Sequence, residues 1–236
     1  WWNREIMRGI IAPRRALRGQ PVVDTDYLVN TVYVDLVPMD FGAVLANPTT
    51  FHPIATATDT GESVDLHHLI DNELALRQAL RASTGMPVLA GPPIELGGRH
   101  FIDGGLTELV AIRTALAQGA THAVVLRTRR PGELLSPPNR VEHHLVRRYL
   151  HRHAPGAMAA WHSRYAVAMD EERLLAEHPQ VRQIRPAAHA PTVPGTARGP
   201  ARLRRTVELG REAAHTAVAA WLGDDPNLDL PVARAG

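Results

Sequence analysis

The sequence has 236 residues, of which 44% are hydrophobic, so it contains enough apolar material for the core of one large globular domain and is not a disordered chain. Its formal net charge is only +2, which is too small to make nucleic acid the expected main partner. The absence of cysteine excludes a disulfide framework, a thiol nucleophile and a thiolate metal site.

The hydropathy pattern and the first residues bear on the location of the protein. No apolar run approaches the roughly 20 residues of a membrane-spanning helix, and the first residues lack the charged and apolar segments of a signal peptide. We therefore expect a cytoplasmic protein that is either free in solution or bound peripherally at a membrane. Because the chain begins with Trp1 instead of methionine, we also expect the open reading frame to extend upstream.

The first half of the chain predicts two β-hairpins separated by a helix. Alternating apolar and polar residues predict the strands, and the dipeptides Thr60-Gly61 and Gly97-Gly98 provide the turns. An apolar face that follows a cap at Asp71 predicts a helix ending near Ser83. The expected strands span residues 51–58, 62–66, 94–96 and 100–102.

The second half predicts alternating helices and strands within the same single domain, residues 1–236. A helix over 108–118 followed by a buried strand centred on 124–126 is typical of a βαβ unit, so we expect a mostly parallel sheet. Further helices are expected over 141–152 and 158–177, and a last short strand over 181–186. Residues 187–200 have the composition of a linker before a terminal helix, 202–222.

Asp103-Gly104-Gly105 follows the second hairpin. Asp-Gly is a common turn dipeptide, because the aspartate side chain accepts hydrogen bonds from nearby amides and glycine adopts a positive φ. The residues alone therefore leave two readings of Asp103 open, a turn-former or a catalytic carboxylate.

The wider context of Asp103 resembles the patatin-like phospholipase family. The resemblance rests on an ordered set of features between residues 80 and 130, with "ATDTGE" upstream. It implies a three-layer α/β/α fold around the sheet, here as an amino-terminally truncated, partial patatin-like domain. The matching features are Ala82-Ser83 and Pro87 at a helix end, the strand pair, Asp103-Gly104-Gly105, a helix, Gly119-Ala120 and a hydrophobic strand.

The resemblance also implies a chemistry, hydrolysis of lipid or phospholipid esters by a serine-aspartate dyad without a metal or organic cofactor. Asp103 corresponds to the catalytic aspartate, which must remove the proton of the serine hydroxyl as ester attack begins. Gly104 and Gly105 are expected to support the ionised carboxylate through their amides. Ser83 and Pro87 correspond to structural positions that support this loop.

The serine nucleophile of that family lies in a Gly-x-Ser-x-Gly elbow, and this motif does not occur in residues 1–236. Ser63 lacks the closing glycine, and Ser83 stands at a helix end with only one glycine nearby. We therefore expect this polypeptide not to complete the reaction without a serine from elsewhere. The alternative is a non-catalytic, lipid-binding or regulatory remnant of the same fold.

The segment 141–152 permits two interpretations. Its apolar residues recur every four positions beside several arginines, which is typical both of a helix at an anionic membrane surface and of a helix docked on the core with a basic outer face. The nearby histidines lack the spacing of a metal site and favour a solvated helix face. These histidines are His143, His144, His151 and His153.

Overall fold

The computed structural model describes residues 4–133, 135–193, 197 and 199–224. Within these residues the chain forms seven α-helices and six β-strands, connected by short 3₁₀ or π-helical segments. The helices are α1 (Arg4–Ile10), α2 (Phe41–Ala46), α3 (Glu73–Ser83), α4 (Ile112–Ala117), α5 (Arg140–His153), α6 (Met158–Glu177) and α7 (Pro200–Asp224). The strands are β1 (Ile54–Ala57), β2 (Ser63–Asp65), β3 (Ile94–Leu96), β4 (Arg99–Asp103), β5 (Ala123–Leu126) and β6 (Val181–Ile184).

The larger sheet has four strands in the order β2-β1-β4-β3, and every neighbouring pair in it is antiparallel. Both predicted hairpins are confirmed, β1 with β2 and β3 with β4. In the second hairpin Gly97 and Gly98 have φ of 59° and 75°. Two consecutive positive φ angles are those of a type I′ turn, which matches the twist of the strands it joins.

The α/β class is confirmed, whereas the direction of the strands corrects the expectation of a mostly parallel sheet. In the described residues parallel pairing is confined to the second, two-stranded sheet of β5 and β6. The physical reason lies in the connections, because a two-residue turn joins only antiparallel strands while parallel neighbours need a crossover. The chain between β5 and β6 provides such a crossover through α5 and α6.

Helices cover both faces of the four-stranded sheet, which gives the three-layer α/β/α arrangement. Successive residues of a strand point to opposite faces, so the fully buried Phe101 and Ile102 belong to different cores. Phe101 packs with Ala75, Ala79 and Ala82 of α3. On the other face, Ile102 clusters with Val146, Leu150 and Trp161 of α5 and α6.

The expectation that the strand around residues 124–126 is buried is wrong. Val125 is buried in a cluster with Ile112 of α4 and Leu175 of α6, but Val124 and Leu126 are 60% and 75% exposed. Helices α4 and α6 thus contribute to the core on one face of β5. The sequence does not show which residues of this strand are exposed, because the apolar run lacks the polar residues that usually mark an outer face.

Helix boundaries differ from the predictions at two places. Asn72, not Asp71, caps α3, with its side chain accepting a hydrogen bond from the amide of Ala75 at 2.9 Å. The helix expected over 108–118 begins only at Ile112. Before it, Glu108 is buried and its carboxylate accepts a hydrogen bond from the amide of Thr114 at 2.9 Å.

The carboxy-terminal elements lie close to their predicted positions. Helices α5, α6 and α7 and strand β6 agree with the expected segments within about two residues at each end. Part of the expected linker, residues 194–196 and 198, lies outside the described residues. The organisation of 1–236 as one domain with a linker over 187–200 stays a prediction.

Candidate functional site

Asp103 is the last residue of β4, and hydrogen bonds hold both its main chain and its carboxylate. It is paired with Ala55 of β1, and its amide donates a hydrogen bond to the carbonyl of Gly85 just beyond α3 at 3.1 Å. Its own carbonyl accepts a hydrogen bond from the hydroxyl of Thr56 at 2.8 Å. Its carboxylate Oδ1 accepts one from the amide of Gly105 at 2.7 Å. The carboxylate is therefore held at the point where strand becomes 3₁₀ turn.

Gly104 allows this turn to lie directly against the neighbouring strand. A Cβ atom at this position would be 2.3 Å from the carbonyl oxygen of Ile54. This oxygen belongs to the backbone, so a change of side-chain rotamer cannot relieve the clash. Gly104 is buried, and its φ is not positive. The glycine is thus required by close approach and not by backbone conformation.

Gly105 has a different part in the turn. It supplies the amide that contacts Asp103, and a Cβ there would lie 3.0 Å from Asp103 Oδ1. Sequence reasoning expected both glycine amides to support the carboxylate. Among the described contacts of that carboxylate only the Gly105 amide donates to it, because Gly104 is turned into the sheet.

Burial raises the pKa of Asp103 above its usual value near 3.8, and the hydrogen bond from Gly105 only partly opposes this effect. Burial disfavours the charged form of a carboxyl group. A carboxylate with a raised pKa holds a proton more strongly than an ordinary aspartate. The environment therefore strengthens Asp103 as a base.

Thr56 and Thr107 support the site and were missed by sequence reasoning. Thr56 is completely buried, and its hydroxyl lies 3.0 Å from that of Thr107 as well as contacting Asp103. The two threonines are 51 positions apart. No sequence signal marks such a pair, because the strand pairing that brings them together is set by the tertiary fold.

The predicted support residues Ser83 and Pro87 lie at and just beyond the carboxyl end of α3. Ser83 is the last residue of α3, but the hydroxyl that closes the helix is that of Thr84, which donates to the carbonyl of Leu80 at 2.8 Å. Pro87 lines a cavity together with Asp103. The next residue, Val88, has a φ of +71°, which is a strained conformation for a β-branched side chain.

The cavity beside Asp103 has a volume of about 550 Å³ and is mainly apolar. That size suits a small organic ligand or part of a larger one. Its apolar wall includes Met86, Pro87, Leu89, Leu106, Leu109 and Trp161. The charged side chains of the wall are Asp103, Arg127, Arg129, Glu142 and Arg164.

The position of the cavity follows from the topology. Asp103 ends β4, while Arg127 to Arg129 follow the carboxyl end of β5. Loops at the carboxyl ends of strands are the usual place for ligand sites in α/β folds. Helices α5 and α6 close the cavity with Val146 and Trp161.

The serines of the sequence do not complete a dyad with Asp103 in the described residues. The Ser63 hydroxyl donates to Glu108 Oε2 at 3.2 Å. No serine hydroxyl in the described part of the chain contacts the carboxylate of Asp103, whose hydrogen bond comes from Gly105. Asp103 is available to a hydroxyl that enters from the cavity.

A second pair of carboxyl groups lies beneath the segment that follows Asp103-Gly104-Gly105. Glu108 and Glu171 are both buried, and Glu171 accepts a hydrogen bond from the amide of Leu109 at 3.1 Å. Burial, with a smaller contribution from the negative charge of Glu108, raises the pKa of Glu171 to about 7. Glu171 thus holds the segment to α6 through the Leu109 amide, and sequence reasoning assigned neither glutamate a role.

The segment predicted to be basic and amphipathic forms α5. Val146 and Leu150 are buried in the core, while Val141 and Leu145 are 68% and 45% exposed. The ring of His143 lies 6.1 Å from that of Trp161. Among the described residues no group of three or more histidine or carboxylate side chains is arranged to hold a metal ion, and no described helix is long and apolar enough to cross a membrane.

Comparison with known families bears directly on this geometry. A family model described as patatin-like phospholipase matches residues 2–116. Residues 2–116, just under half of the chain, are therefore similar to the patatin-like phospholipase family. The matched range contains the Asp103-Gly104-Gly105 turn and the whole four-stranded sheet.

One curated protein similar to this chain is the "Uncharacterized protein YjjU" of Escherichia coli (strain K12). The two sequences are 27% identical over 123 residues, which is 51% of this chain. The match covers 34% of the relative's own length, so it spans only about a third of that protein. The relative's name states no activity.

Proposed function

We propose that the protein is a serine acyl-ester hydrolase of lipids, of the phospholipase A or lipase type, with Asp103 as the general base. The observation that carries the proposal is the carboxylate of Asp103, held by Gly105 on the wall of an apolar cavity and within the range that matches the family. The nucleophile is a serine that residues 1–236 do not supply in a Gly-x-Ser-x-Gly elbow.

The reaction proceeds by two acyl transfers in which Asp103 moves one proton each time. In the first, the carboxylate takes the proton of the serine hydroxyl as the serine oxygen attacks the ester carbonyl carbon. The tetrahedral intermediate collapses, the alcohol leaves with that proton, and an acyl-serine remains. In the second, Asp103 takes a proton from water, which attacks the acyl-serine and releases the fatty acid and the serine hydroxyl.

The cavity wall suits this substrate class. Its apolar side chains, among them Leu106, Leu109 and Trp161, provide a surface for a hydrocarbon chain next to the carboxylate. The raised pKa of Asp103 follows from the same apolar surroundings. One environment thus binds the acyl chain and strengthens the base, and no cofactor takes part in this scheme.

A second candidate function is lipid binding without catalysis or a regulatory role. The observation in its favour is that none of the four serines in residues 1–236 lies in a Gly-x-Ser-x-Gly motif. The same apolar cavity would then hold a lipid that is not cleaved. In this case Asp103 is a structural residue of the turn.

We also propose a peripheral contact with the membrane through residues 141–152. Val141 and Leu145 remain exposed on α5, next to Arg148 on the same exposed side of the chain. An exposed apolar pair with basic neighbours suits an anionic lipid surface. A cytoplasmic location is the expected setting for such a contact.

Release of fatty acid from dihexanoyl phosphatidylcholine by the protein translated from its complete reading frame tests the choice between the two functions. The hydrolase proposal predicts sustained release over many turnovers. Stoichiometric binding of the lipid with no release would favour the non-catalytic function instead.

A further inference from the structure

The cavity beside Asp103 contains more positive charge than hydrolysis of an uncharged ester requires. Three guanidinium groups line it, those of Arg127, Arg129 and Arg164, against the carboxylates of Asp103 and Glu142. All three arginines lie outside residues 2–116, the range that matches the family model. They are therefore features of this chain's own carboxy-terminal half.

Arg127 is a buried donor with unused capacity. Its side chain is only 7% exposed, and it forms an ion pair with Glu172. Glu172 is shared with Arg185, whose Nη2 lies 2.7 Å from the other carboxylate oxygen. Two guanidinium groups thus share one carboxylate, and Arg127 Nη1 is buried with no hydrogen-bond partner among the described residues.

Arg164 is a second arginine of the cavity wall with a donor that no described residue satisfies. Its guanidinium carbon lies 3.4 Å from the ring centroid of Trp161, and Nη2 donates to the hydroxyl of Tyr165 at 2.8 Å. The stacking fixes the plane of the guanidinium group. Its Nε is also buried without a hydrogen-bond partner in the described part of the chain.

Buried N–H groups without partners are costly, and arginine donors match the oxygens of phosphate. From these observations we propose that Arg127, Arg129 and Arg164 form a subsite for the phosphate of an anionic lipid head group. This inference rests on the proposed function, since it assigns the arginines to the same substrate whose acyl chain lies against the apolar wall. The ester bond is then placed between the arginines and the apolar wall, next to Asp103.

Titration calorimetry with soluble short-chain ligands tests this subsite. The protein translated from the complete reading frame carries Asp103→Asn in every arm, so that the ligand is consumed slowly. The ligands are dihexanoyl phosphatidic acid below its critical micelle concentration, dihexanoylglycerol and inorganic phosphate. We expect phosphatidic acid to bind about 10-fold or more tightly than either of the other two, the effect of at least one charge-assisted hydrogen bond.

Variants assign the effect to the arginines. Arg164→Gln should weaken binding of phosphatidic acid about 10-fold and leave dihexanoylglycerol unchanged. Arg129→Gln is a second variant, for which no ion pair is broken in the described residues, should Arg164→Gln impair folding. Arg211→Gln on the exposed side of α7, away from the cavity and from residues 141–152, is the matched control and should bind all three ligands as the parent protein does.

Each outcome has a defined meaning. Equal affinity for phosphatidic acid and dihexanoylglycerol, or unchanged affinity in both arginine variants, overturns the subsite while the hydrolase proposal stands. Phosphate alone binding as tightly as phosphatidic acid would assign the arginines to a free anion and overturn the head-group assignment. If neither lipid binds, the cavity is not a lipid site and the proposed function fails as well.

Discussion

At the scale of single residues, Gly104 is the position of the Asp103 turn that leaves the least room for a side chain. Its α-carbon faces the carbonyl of Ile54, and an added Cβ would approach that oxygen to 2.3 Å. Relief requires β1 and the turn to separate, because the obstacle is main chain. The same separation would move Asp103, which precedes Gly104 and pairs with β1.

We expect Gly104→Ala to lower the free energy of unfolding by about 2 kcal/mol or more, as overpacking of a buried site does. Urea denaturation measures the change. Gly210→Ala is the matched control, because Gly210 lies in α7 with no atom within 4 Å of the added Cβ, and alanine should stabilise the helix by up to about 1 kcal/mol. A Gly104→Ala protein as stable as the parent would contradict the close approach.

At the residue scale, the sequence marked Asp103 and Gly105 as one turn, which the structure contains, but it gave no signal for Thr56 or Arg164. The role of Asp103 as the base stays a prediction. Asp103 belongs to a short motif in an ordered context, and a motif of adjacent residues can be recognised from the sequence alone. Thr56 is 47 positions from Asp103. The arginines approach the cavity from other segments of the chain, so nothing adjacent in sequence connects them with it.

At the scale of elements, the hairpin of β3 and β4 positions Asp103 at the end of the returning strand. Its turn uses Gly97 and Gly98, both with positive φ. Gly98 has open space around the position of a Cβ, so any cost of a side chain there comes from backbone conformation alone. A substitution at Gly98 therefore tests the backbone conformation of the turn without a steric clash.

Gly98→Ala should destabilise the protein by about 1 kcal/mol, the cost of a left-handed conformation for an L-residue with a Cβ. Gly98→Asn should be affected less, because asparagine tolerates this region. Thermal or urea unfolding of the three proteins measures the order of stability. Equal stability of the alanine and asparagine variants would contradict the assigned turn.

Hairpins and long helices were predictable from sequence, whereas the start of α4 and the exposure of β5 were not. The hairpins rest on local turn chemistry, and α6 rests on its length. The helix expected over 108–118 loses its first turn because Glu108 is held in a buried contact with Ser63 and Thr114. Local pattern contains no information about such a distant partner.

At the scale of the whole molecule, Glu171 couples stability to pH. Its folded-state pKa is raised to about 7 from an ordinary 4.5, so the folded protein retains a proton that the unfolded chain has lost between these values. Stability from this group is therefore greatest below about pH 4.5 and falls as pH rises towards and through 7. The full loss is of the order of 3 kcal/mol for a shift of this size.

Glu171→Gln should remove this pH dependence, because glutamine keeps the acceptor for the Leu109 amide and cannot ionise. The variant should gain stability over the parent at pH 8 and little at pH 4.5. Urea denaturation at both pH values measures the difference. Glu177→Gln, exposed on the same helix, is the control and should follow the parent. A parent protein whose stability does not decline relative to Glu171→Gln between these pH values would contradict the buried, protonated glutamate.

The α/β class and the layered arrangement were predictable at this scale, but the directions of the strands and the cavity were not. The alternation of helices and strands in the second half predicted a mostly parallel sheet, whereas the two predicted hairpins supply the strands of the larger, antiparallel sheet. The cavity arises where the ends of β4 and β5 meet α5 and α6. Its charge and volume depend on tertiary packing, so the motif located the carboxylate without its surroundings.

The most direct test of the account is the hydrolysis of dihexanoyl phosphatidylcholine by the protein from its complete reading frame and by its Asp103→Asn variant. Asparagine preserves shape and removes the base, so we expect kcat/KM to fall about 100-fold or more. In the parent, kcat/KM should rise with pH around a pKa above the usual 3.8, because burial shifts the ionisation of Asp103 to higher pH. Asp71→Asn, an exposed exchange before α3, should leave the rate unchanged. A folded Asp103→Asn protein that retains the parent's rate would contradict the assignment of Asp103 as the base.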